Sequence, residues 1–309
     1  MSADSSLPGQ GGRARVKSLL RDVSQHSFFL LWSAAFGMTG RVLRPRARID
    51  EPTGGHRVMV IAPHPDDEVA GCGGTICEHR RAGDRVTVAC VTDGRRSTAF
   101  GLGPDEMAAR RRQEAGEAAA VLDVDLEWLG LPEGEWRPEE LVERLRALLA
   151  EIRPDIVYAP SRIDFHFEHE RVARALASAL VGGEPPWTVR VYAIQVPLTP
   201  VLTNVIVPVQ GMRTVEKALS CYRTQMGSLQ CTLRPKRYAA RLYDTEGPVE
   251  EFWELAPEEY RQLHLQPRKR PLVKTFRGLR YDAASDPLAY LRGLKERWSL
   301  ARKARKARR

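Results

Sequence analysis

Short apolar runs alternate with longer amphipathic segments between residues 57 and 194. The runs of strand length are residues 57–62, 85–91, 126–129, 156–159 and 189–194. The segments with helical spacing are residues 68–82, 104–122 and 138–152, and a further one that begins near residue 169. This repeated strand–helix order predicts an α/β fold, with a Rossmann-like, mostly parallel sheet and helices on both faces.

The alternation weakens on both sides of this region, and three parts are therefore expected. Residues 1–55 read as an N-terminal extension and linker, with a Ser/Gly-rich start, a helical segment over 15–42 and a Pro/Arg/Gly stretch over 43–55. Residues 56–230 form the main domain. Its last elements are a strand over 201–209 and a helix over 214–225. The strand can be either parallel or antiparallel to the rest of the sheet. Residues 231–309 show no clear period and read as an irregular C-terminal extension with a basic tail.

The most apolar stretch of the N-terminal extension is FFLLWSAAFGM at residues 28–38. These eleven residues are fewer than the roughly 20 apolar residues that a membrane-spanning helix needs. Basic residues precede the stretch, so it fits a helix lying on a membrane surface as well as a helix packed on the domain. Both interpretations stay open.

The formal net charge is +9, and much of the excess lies near the two ends of the chain. No basic and aromatic pattern typical of an RNA-binding module is present, so a nucleic-acid partner is not expected. The five cysteines form no CxxC pair. This cysteine usage indicates a reducing compartment, and we expect a cytoplasmic protein with peripheral membrane contact as an open addition.

The first group of chemically active residues follows the strand 57–62. The segment PHPDDE at residues 63–68 places one histidine and three carboxylates in a single turn. The carboxylates repel one another, and a divalent cation bound by His64 and the aspartates would offset that repulsion. A solvated acidic turn is the alternative, with Asp66 or Glu68 as an N-cap or first-turn acid of the next helix.

A second group follows the strand 156–159. It contains Asp164, His166, Glu168 and His169. Both groups come after predicted parallel strands, whose carboxyl ends meet at one edge of the sheet. We therefore expect the two groups to converge on one site.

The two motifs resemble those of the LmbE-like de-N-acetylases. This family includes PIG-L, the enzyme that deacetylates N-acetylglucosaminyl-phosphatidylinositol, and relatives that act on thiol sugars and glycopeptide antibiotics. PHPDDE at residues 63–68 is similar to the family's first signature, and DFHFEH at residues 164–169 is similar to its D-x-H-P-D-H motif. The resemblance covers residues 57–230. It implies the same α/β fold and a zinc-dependent deacetylase.

The resemblance also implies roles for particular residues. His64, Asp67 and His169 would be the zinc ligands, with Fe²⁺ as an alternative metal for the same donors. Asp66 would be the general base for a water molecule, and protonated His166 would stabilise the developing oxyanion.

Some positions agree less closely with the family. The family's Pro and Asp between the two histidines are Phe167 and Glu168 here. That Asp is thought to orient the first histidine, and the longer Glu168 is expected to keep this contact. Arg110 and Glu114 resemble an R-x-x-x-E helix motif. Arg110, Glu168 and Asp164 are accordingly expected to contact substrate or to support residues that do, while a solvated helix face is the alternative for Arg110.

Three residues near the end of the main domain also resemble a family segment, and we expect them to be structural: Lys217, Tyr222 and Gln225. The expected function is hydrolysis of the acetamide of an N-acetylated amino sugar or glycoconjugate. The substrate would be a small molecule, and the oligomeric state is not specified by the sequence. Two alternatives stay open: an amidase for a different amide, and an inactive binding protein on the same fold.

Overall fold

The computed structural model describes most of the chain from residue 46 onward. The described ranges are residues 46–164, 166–180, 187–194, 198–225, 233–266 and 294–307, together with residues 31, 34–35, 37–38 and 40–41. The predicted disordered start, most of the predicted helix over 15–42 and most of the apolar stretch at 28–38 lie outside these residues. Among the described residues, no helix combines the length and apolarity needed to cross a membrane.

One eight-stranded sheet organises the molecule. The strands are β1 (Arg48–Ile49), β2 (Arg57–Ala62), β3 (Arg85–Thr92), β4 (Asp125–Leu131), β5 (Ile156–Pro160), β6 (Thr188–Tyr192), β7 (Val205–Pro208) and β8 (Val249–Leu255). Their order across the sheet is β1-β7-β8-β6-β5-β2-β3-β4. All neighbouring pairs are parallel except the two that β8 makes with β6 and β7. The prediction of a mostly parallel sheet is confirmed.

The helices lie on both faces of this sheet. They are α1 (Asp67–Ala82), α2 (Pro104–Leu122), α3 (Pro138–Ile152), α4 (Phe167–Ala179), α5 (Thr199–Leu202), α6 (Met212–Cys221), α7 (Leu233–Tyr243), α8 (Pro257–Leu265) and α9 (Leu294–Ala307). Short 3₁₀ turns occupy Ala99–Gly101 and Arg223–Gln225.

Two apolar clusters separate the helices into layers. Successive residues of β2 point to opposite faces, so Met59 and Ile61 join one cluster while Val58 and Val60 join the other. Side chains of α3, α4, α8 and α9 complete the first cluster, and side chains of α1, α2 and α6 complete the second. This alternation explains why β2 is apolar at nearly every position.

The C-terminal region differs from the sequence expectation. Residues 249–255, which were expected in an irregular extension, form β8 in the middle of the sheet, and residues 233–243 and 257–265 form helices. The expected strand over 201–209 is shorter, because residues 199–202 are helical, and it is antiparallel to β8. The predicted helix over 214–225 begins at Met212 and ends at Cys221.

Candidate active site

The loops after β2 and β5 meet at the centre of the carboxyl edge of the sheet. From β2 the chain continues outward to β3 and β4, whereas β5 is followed on the other side by β6. The gap between β2 and β5 is therefore the topological switch point, where open α/β sheets bind their ligands. The two motifs predicted to converge lie on either side of this gap.

His64, Asp67 and His169 form the centre of the site. Asp67 Oδ2 lies 3.1 Å from His64 Nδ1 and 3.1 Å from His169 Nε2. The same oxygen accepts a hydrogen bond from the backbone N–H of His64 at 2.8 Å. All three side chains are at most 9% exposed. One carboxylate oxygen thus joins the histidines of the two motifs.

Asp164 orients the second histidine. Its Oδ2 lies 3.0 Å from His169 Nδ1, and it also accepts a hydrogen bond from the backbone N–H of Ile194 at 3.1 Å. Asp164 is fully buried. The other ring nitrogen, His169 Nε2, therefore faces the centre of the site, which is the arrangement usual for a metal-binding histidine.

His166 lies against the other two histidines without sharing their carboxylate. Its ring centroid is 4.5 Å from that of His64 and 5.1 Å from that of His169. Burial and the positive charges of His64 and His169 lower the pKa of His166 to about 3. This shift favours a neutral ring, whereas the family resemblance implies a protonated ring during the reaction.

The donor atoms fit a metal ion. Ring nitrogens of His64, His166 and His169 lie within 4.8 Å of one another. Two buried nitrogens, His64 Nε2 and His166 Nδ1, have no hydrogen-bond partner. A buried polar atom without a partner is unfavourable, and a bound cation or substrate would satisfy such atoms.

The ionisation of the central residues points the same way. Burial raises the pKa of Asp67, but the charges on His169 and His64 outweigh burial and hold it well below its usual range. Burial lowers the pKa of His64 and of His169, but their carboxylate partners raise these values to about 9 and about 10. Asp67 is thus stabilised by positive charge on its neighbours, and a bound cation would supply such charge.

Asp66 lies beside this centre in a strained backbone conformation. Its φ angle is 123°, in a region that residues with side chains rarely adopt, and such strain costs about 1–3 kcal/mol. Its Oδ2 lies 3.1 Å from Nη2 of the buried Arg111. Burial raises the pKa of Asp66, the charge of Arg111 opposes this, and the result is about 6.

Glu68 stabilises the acidic turn of residues 63–68 through hydrogen bonds of both its carboxylate oxygens. One of its oxygens accepts a hydrogen bond from the backbone N–H of Asp66 at 3.1 Å, and the other accepts one from the Tyr222 hydroxyl. Burial raises the pKa of Glu68 to about 7, although the Tyr222 hydrogen bond opposes the rise. Tyr222, which we expected to be structural, thus supports the acidic turn directly.

Glu168 does not make the predicted histidine contact. It accepts a hydrogen bond from Trp136 Nε1 at 2.7 Å and pairs with Arg171 Nη1 at 3.1 Å. Asp164, at the start of the same motif, orients a histidine instead. Glu168 at the start of α4 therefore anchors that helix to the loop after β4.

Arg110 also lies away from the site. Its side chain is 36% exposed and contacts Glu114 at 3.4 Å and Gln113 at 3.3 Å on its own helix. The next residue, Arg111, is 3% exposed and binds Asp66 as well as the backbone oxygen of Pro65. Arg111 is therefore the arginine that contacts the site. Arg110 lies on a partly exposed face of its helix, as the alternative prediction for this residue stated.

Glu133 is a site residue that the sequence analysis missed. It lies in the loop after β4, and its Oε1 is 3.5 Å from His64 Nε2. Burial raises the pKa of Glu133, but the neighbouring His64 ring outweighs burial and the pKa is lowered. The sequence feature that could have identified Glu133 is its position, since it is a carboxylate just after a parallel strand.

The fold and site together define an α/β protein with a histidine–carboxylate centre at the switch point of its sheet. Residues 59–180 match the family model described as PIG-L, GlcNAc-PI de-N-acetylase. This match confirms, for residues 59–180, the resemblance seen in the two motifs.

Curated relatives agree with this assignment. A deacetylase of 1D-myo-inositol 2-acetamido-2-deoxy-α-D-glucopyranoside from Kineococcus radiotolerans is 30% identical over 201 residues, which are 50% of this chain and 55% of the relative. A probable N-acetyl-α-D-glucosaminyl L-malate deacetylase 2 from Bacillus subtilis is 30% identical over 133 residues, which are 40% of this chain and 60% of the relative. The chain thus spans little more than half the length of these relatives.

A solved structure shows the same fold. N,N'-diacetylchitobiose deacetylase from Pyrococcus horikoshii, complexed with an inhibitor, matches with a TM-score of 0.59 and 23% identity. The match covers 74% of this chain and 92% of the archaeal chain.

Proposed function

We propose that this protein is a metal-dependent hydrolase that removes the acetyl group from an N-acetylated amino sugar of the N-acetylglucosamine type. The observation that carries the proposal is the position of Asp66, a buried carboxylate held by Arg111 beside the His64–Asp67–His169 centre. The relatives named as deacetylases of such sugars support the substrate class.

His64, Asp67 and His169 would hold the metal. Two imidazole nitrogens and one carboxylate are a common set of protein ligands for catalytic zinc and leave a position open for water. Bound zinc would bring the pKa of a water molecule there towards neutrality. Fe²⁺ suits the same donors and is the alternative metal.

Asp66 would act as the general base. A base works best when its pKa is near the working pH, and burial raises the pKa of Asp66 to about 6. Its carboxylate would accept a proton from the attacking water while Arg111 holds the side chain in position.

His166 would bind the oxygen of the acetamide as negative charge develops on it. As a neutral ring, His166 donates through one N–H, and its position 4.5 Å from the His64 ring places it at the centre of the site. Stabilisation of a developing oxyanion by such a donor is a large contribution to amide hydrolysis. The proton that Asp66 accepted would be returned to the leaving nitrogen, so that acetate and the free amine are released.

The test is amine release from purified protein. N-acetylglucosamine, diacetylchitobiose and an N-acetylglucosaminyl-inositol would be incubated with and without a chelator, and bound metal would be measured on the same samples. Chelator-sensitive release, restored by Zn²⁺ or Fe²⁺, is expected, and the better metal identifies the cofactor. A metal-loaded protein that releases amine from none of these sugars would overturn the substrate class and favour a different amide or a binding role.

The division at residues 55 and 230, the cytoplasmic location and membrane contact through residues 28–38 stay predictions. Membrane contact is tested by removing residues 1–45 and comparing the fractionation of the two proteins. An unchanged distribution would contradict it.

A further inference from the structure

Helix α1 carries Asp67 in its first turn and has unusual contacts about two turns later. Amides inside an α-helix normally donate only to the carbonyl four residues earlier. Here the backbone N–H of Gly74 lies 2.9 Å from Glu250 Oε1, and that of Thr75 lies 2.7 Å from Glu250 Oε2. A carboxylate from β8 thus caps two amides in the interior of the helix.

Lys236 of α7 completes this arrangement. Its Nζ lies 2.9 Å from the carbonyl oxygen of Ala70 and forms an ion pair with Glu250. Lys236 is 6% exposed and Glu250 is 2% exposed. We call these two residues the clamp, because they bind a carbonyl and two amides of one helix from the side.

The glycines of α1 make this approach feasible. A Cβ on Gly74 would lie 2.5 Å from the Val209 side chain and 3.0 Å from the Glu250 carboxylate. A Cβ on Gly71 would lie 2.4 Å from the ring of Tyr192. Real Cβ atoms essentially never lie within 3.0 Å of another heavy atom, so the contacts with Val209 and Tyr192 favour glycine at these positions, and a Cβ at Gly74 would also crowd Glu250.

The clamp is connected to the acidic turn through Ala70. The N–H of Ala70 donates to the carbonyl of Asp66 at 2.9 Å, and the N–H of Val69 donates to the same oxygen at 3.1 Å. Lys236 fixes the carbonyl of Ala70. The strained backbone of Asp66 persists only if its surroundings hold it, and Arg111 holds it from one side while the Ala70 turn holds it from the other.

We propose that Lys236 and Glu250 are positioning residues for the site, which fix the first turns of α1 and so keep Asp66 and Asp67 in place. Neither residue lies in the segment matched by the family model, residues 59–180. The catalytic and zinc-affinity readouts of the test below rest on the proposed function, whereas the amide exchange readout does not.

The main variant is Glu250→Gln, and Glu254→Gln is its matched control. Glu254 lies on the same strand and accepts hydrogen bonds from Arg190 at 2.9 Å and Arg48 at 3.0 Å. It makes no hydrogen bond to α1 among the described residues. Both variants remove one charge from a buried or half-buried ion pair of β8, so a merely structural effect would appear in both.

Three quantities would be measured: zinc affinity by competition with a chromophoric chelator, amide hydrogen exchange of residues 67–75 in the metal-free protein, and kcat and KM. Glu250→Gln is expected to weaken zinc binding by about 10- to 100-fold, as loss of a residue that supports metal ligands typically does. It should also speed amide hydrogen exchange in residues 67–75. It should lower kcat and change KM to a smaller extent. Glu254→Gln should leave all three quantities close to wild type.

If Glu250→Gln does not fold, Lys236→Met is the second variant. This substitution approximately preserves the side-chain volume and removes the hydrogen-bond donor to the carbonyl of Ala70. Zinc affinity and exchange equal to wild type in the folded clamp variants would overturn the proposal, as would equal losses in the Glu254→Gln control. If the wild-type protein released no amine from any sugar, the proposed function would fail, while amide hydrogen exchange would still decide the role of the clamp.

Discussion

Asp66, Asp67 and Glu68 are consecutive acids whose chemistry is set by different neighbours. Asp67 faces two histidines and stays ionised, with a pKa well below its usual range. Burial raises the pKa of Asp66 to about 6 and that of Glu68 to about 7. Such divergence between adjacent carboxyl groups typically separates the residue that binds a cation from the residue that transfers a proton.

Asp66→Asn is expected to lower the rate of amine release by about 10²- to 10⁴-fold, the usual contribution of a general base. The asparagine keeps the shape of the side chain, so metal content should not change. Metal analysis and amine release on the same preparation check both statements. Asp67→Asn should instead lose the metal, and substantial activity in Asp66→Asn would exclude Asp66 as the base.

Arg111→Gln is expected to lower kcat at least tenfold, because a buried carboxylate that loses its charged partner is poorly positioned and poorly solvated. Arg110→Gln is the matched control, since its side chain is partly exposed and contacts only its own helix among the described residues. Steady-state kinetics would give kcat for the two variants and for the wild-type protein. Equal effects of the two substitutions would contradict the assignment of Arg111 to the site.

The residues that the structure brings together at the centre belong to the two short motifs. His64 and Asp67 are three residues apart after β2, and His169 lies in the first turn of the helix that follows β5. The position of each motif after a parallel strand was therefore enough to bring them together. Arg110 and Arg111 could not be distinguished in the same way. They belong to a run of three arginines, and only the packing of α2 shows which one faces Asp66. Glu133 comes from a third loop and has no motif of its own.

At the level of elements, the alternation of apolar strands and amphipathic helices predicted β2 to β6 and α1 to α4 to within a few residues. β8 was missed because its sequence, VEEFWEL, places the buried Glu250 where an apolar residue would mark a strand. A buried charge is recognisable only together with its partner, and Lys236 lies on another element.

A chain that ends at residue 230 is expected to lack a cooperative unfolding transition. Without β8, the strands β6 and β7 lose their shared partner, and their exposed edges would promote aggregation. Circular dichroism during thermal unfolding is the measurement. Removal of residues 1–45 is the control, since it leaves all eight strands in place and should preserve the transition. A cooperative transition in the shorter chain would instead support the boundary predicted at residue 230.

At the scale of the whole molecule, stability should fall on mild acidification because of His264. This side chain is fully buried and stacks on Tyr260 with ring centroids 3.8 Å apart. Burial and the charge of Arg162 lower the pKa of His264 to about 3, while the unfolded chain has a value near 6.5. Between these values the unfolded state binds the additional proton, so the stability present above pH 6.5 is lost as the pH falls towards 3.

The expected loss from this residue is about 2 kcal/mol between pH 7 and pH 5. Urea unfolding at the two pH values would be compared for wild type and for His264→Phe, which can still stack on Tyr260. The variant should lose less stability on acidification than wild type. The same pH dependence in both proteins would show that other groups cause the loss.

The position of β8 also has a consequence for the order in which the protein is made. His64, Asp67 and His169 leave the ribosome well before residues 249–255, which complete the sheet between β6 and β7. At synthesis rates of about 5–20 residues per second, several seconds separate these events. Throughout this interval the nascent chain exposes histidines and carboxylates whose supporting helix has not yet met Glu250. Stable binding of the proposed metal ion is therefore expected only late in the biogenesis of this protein.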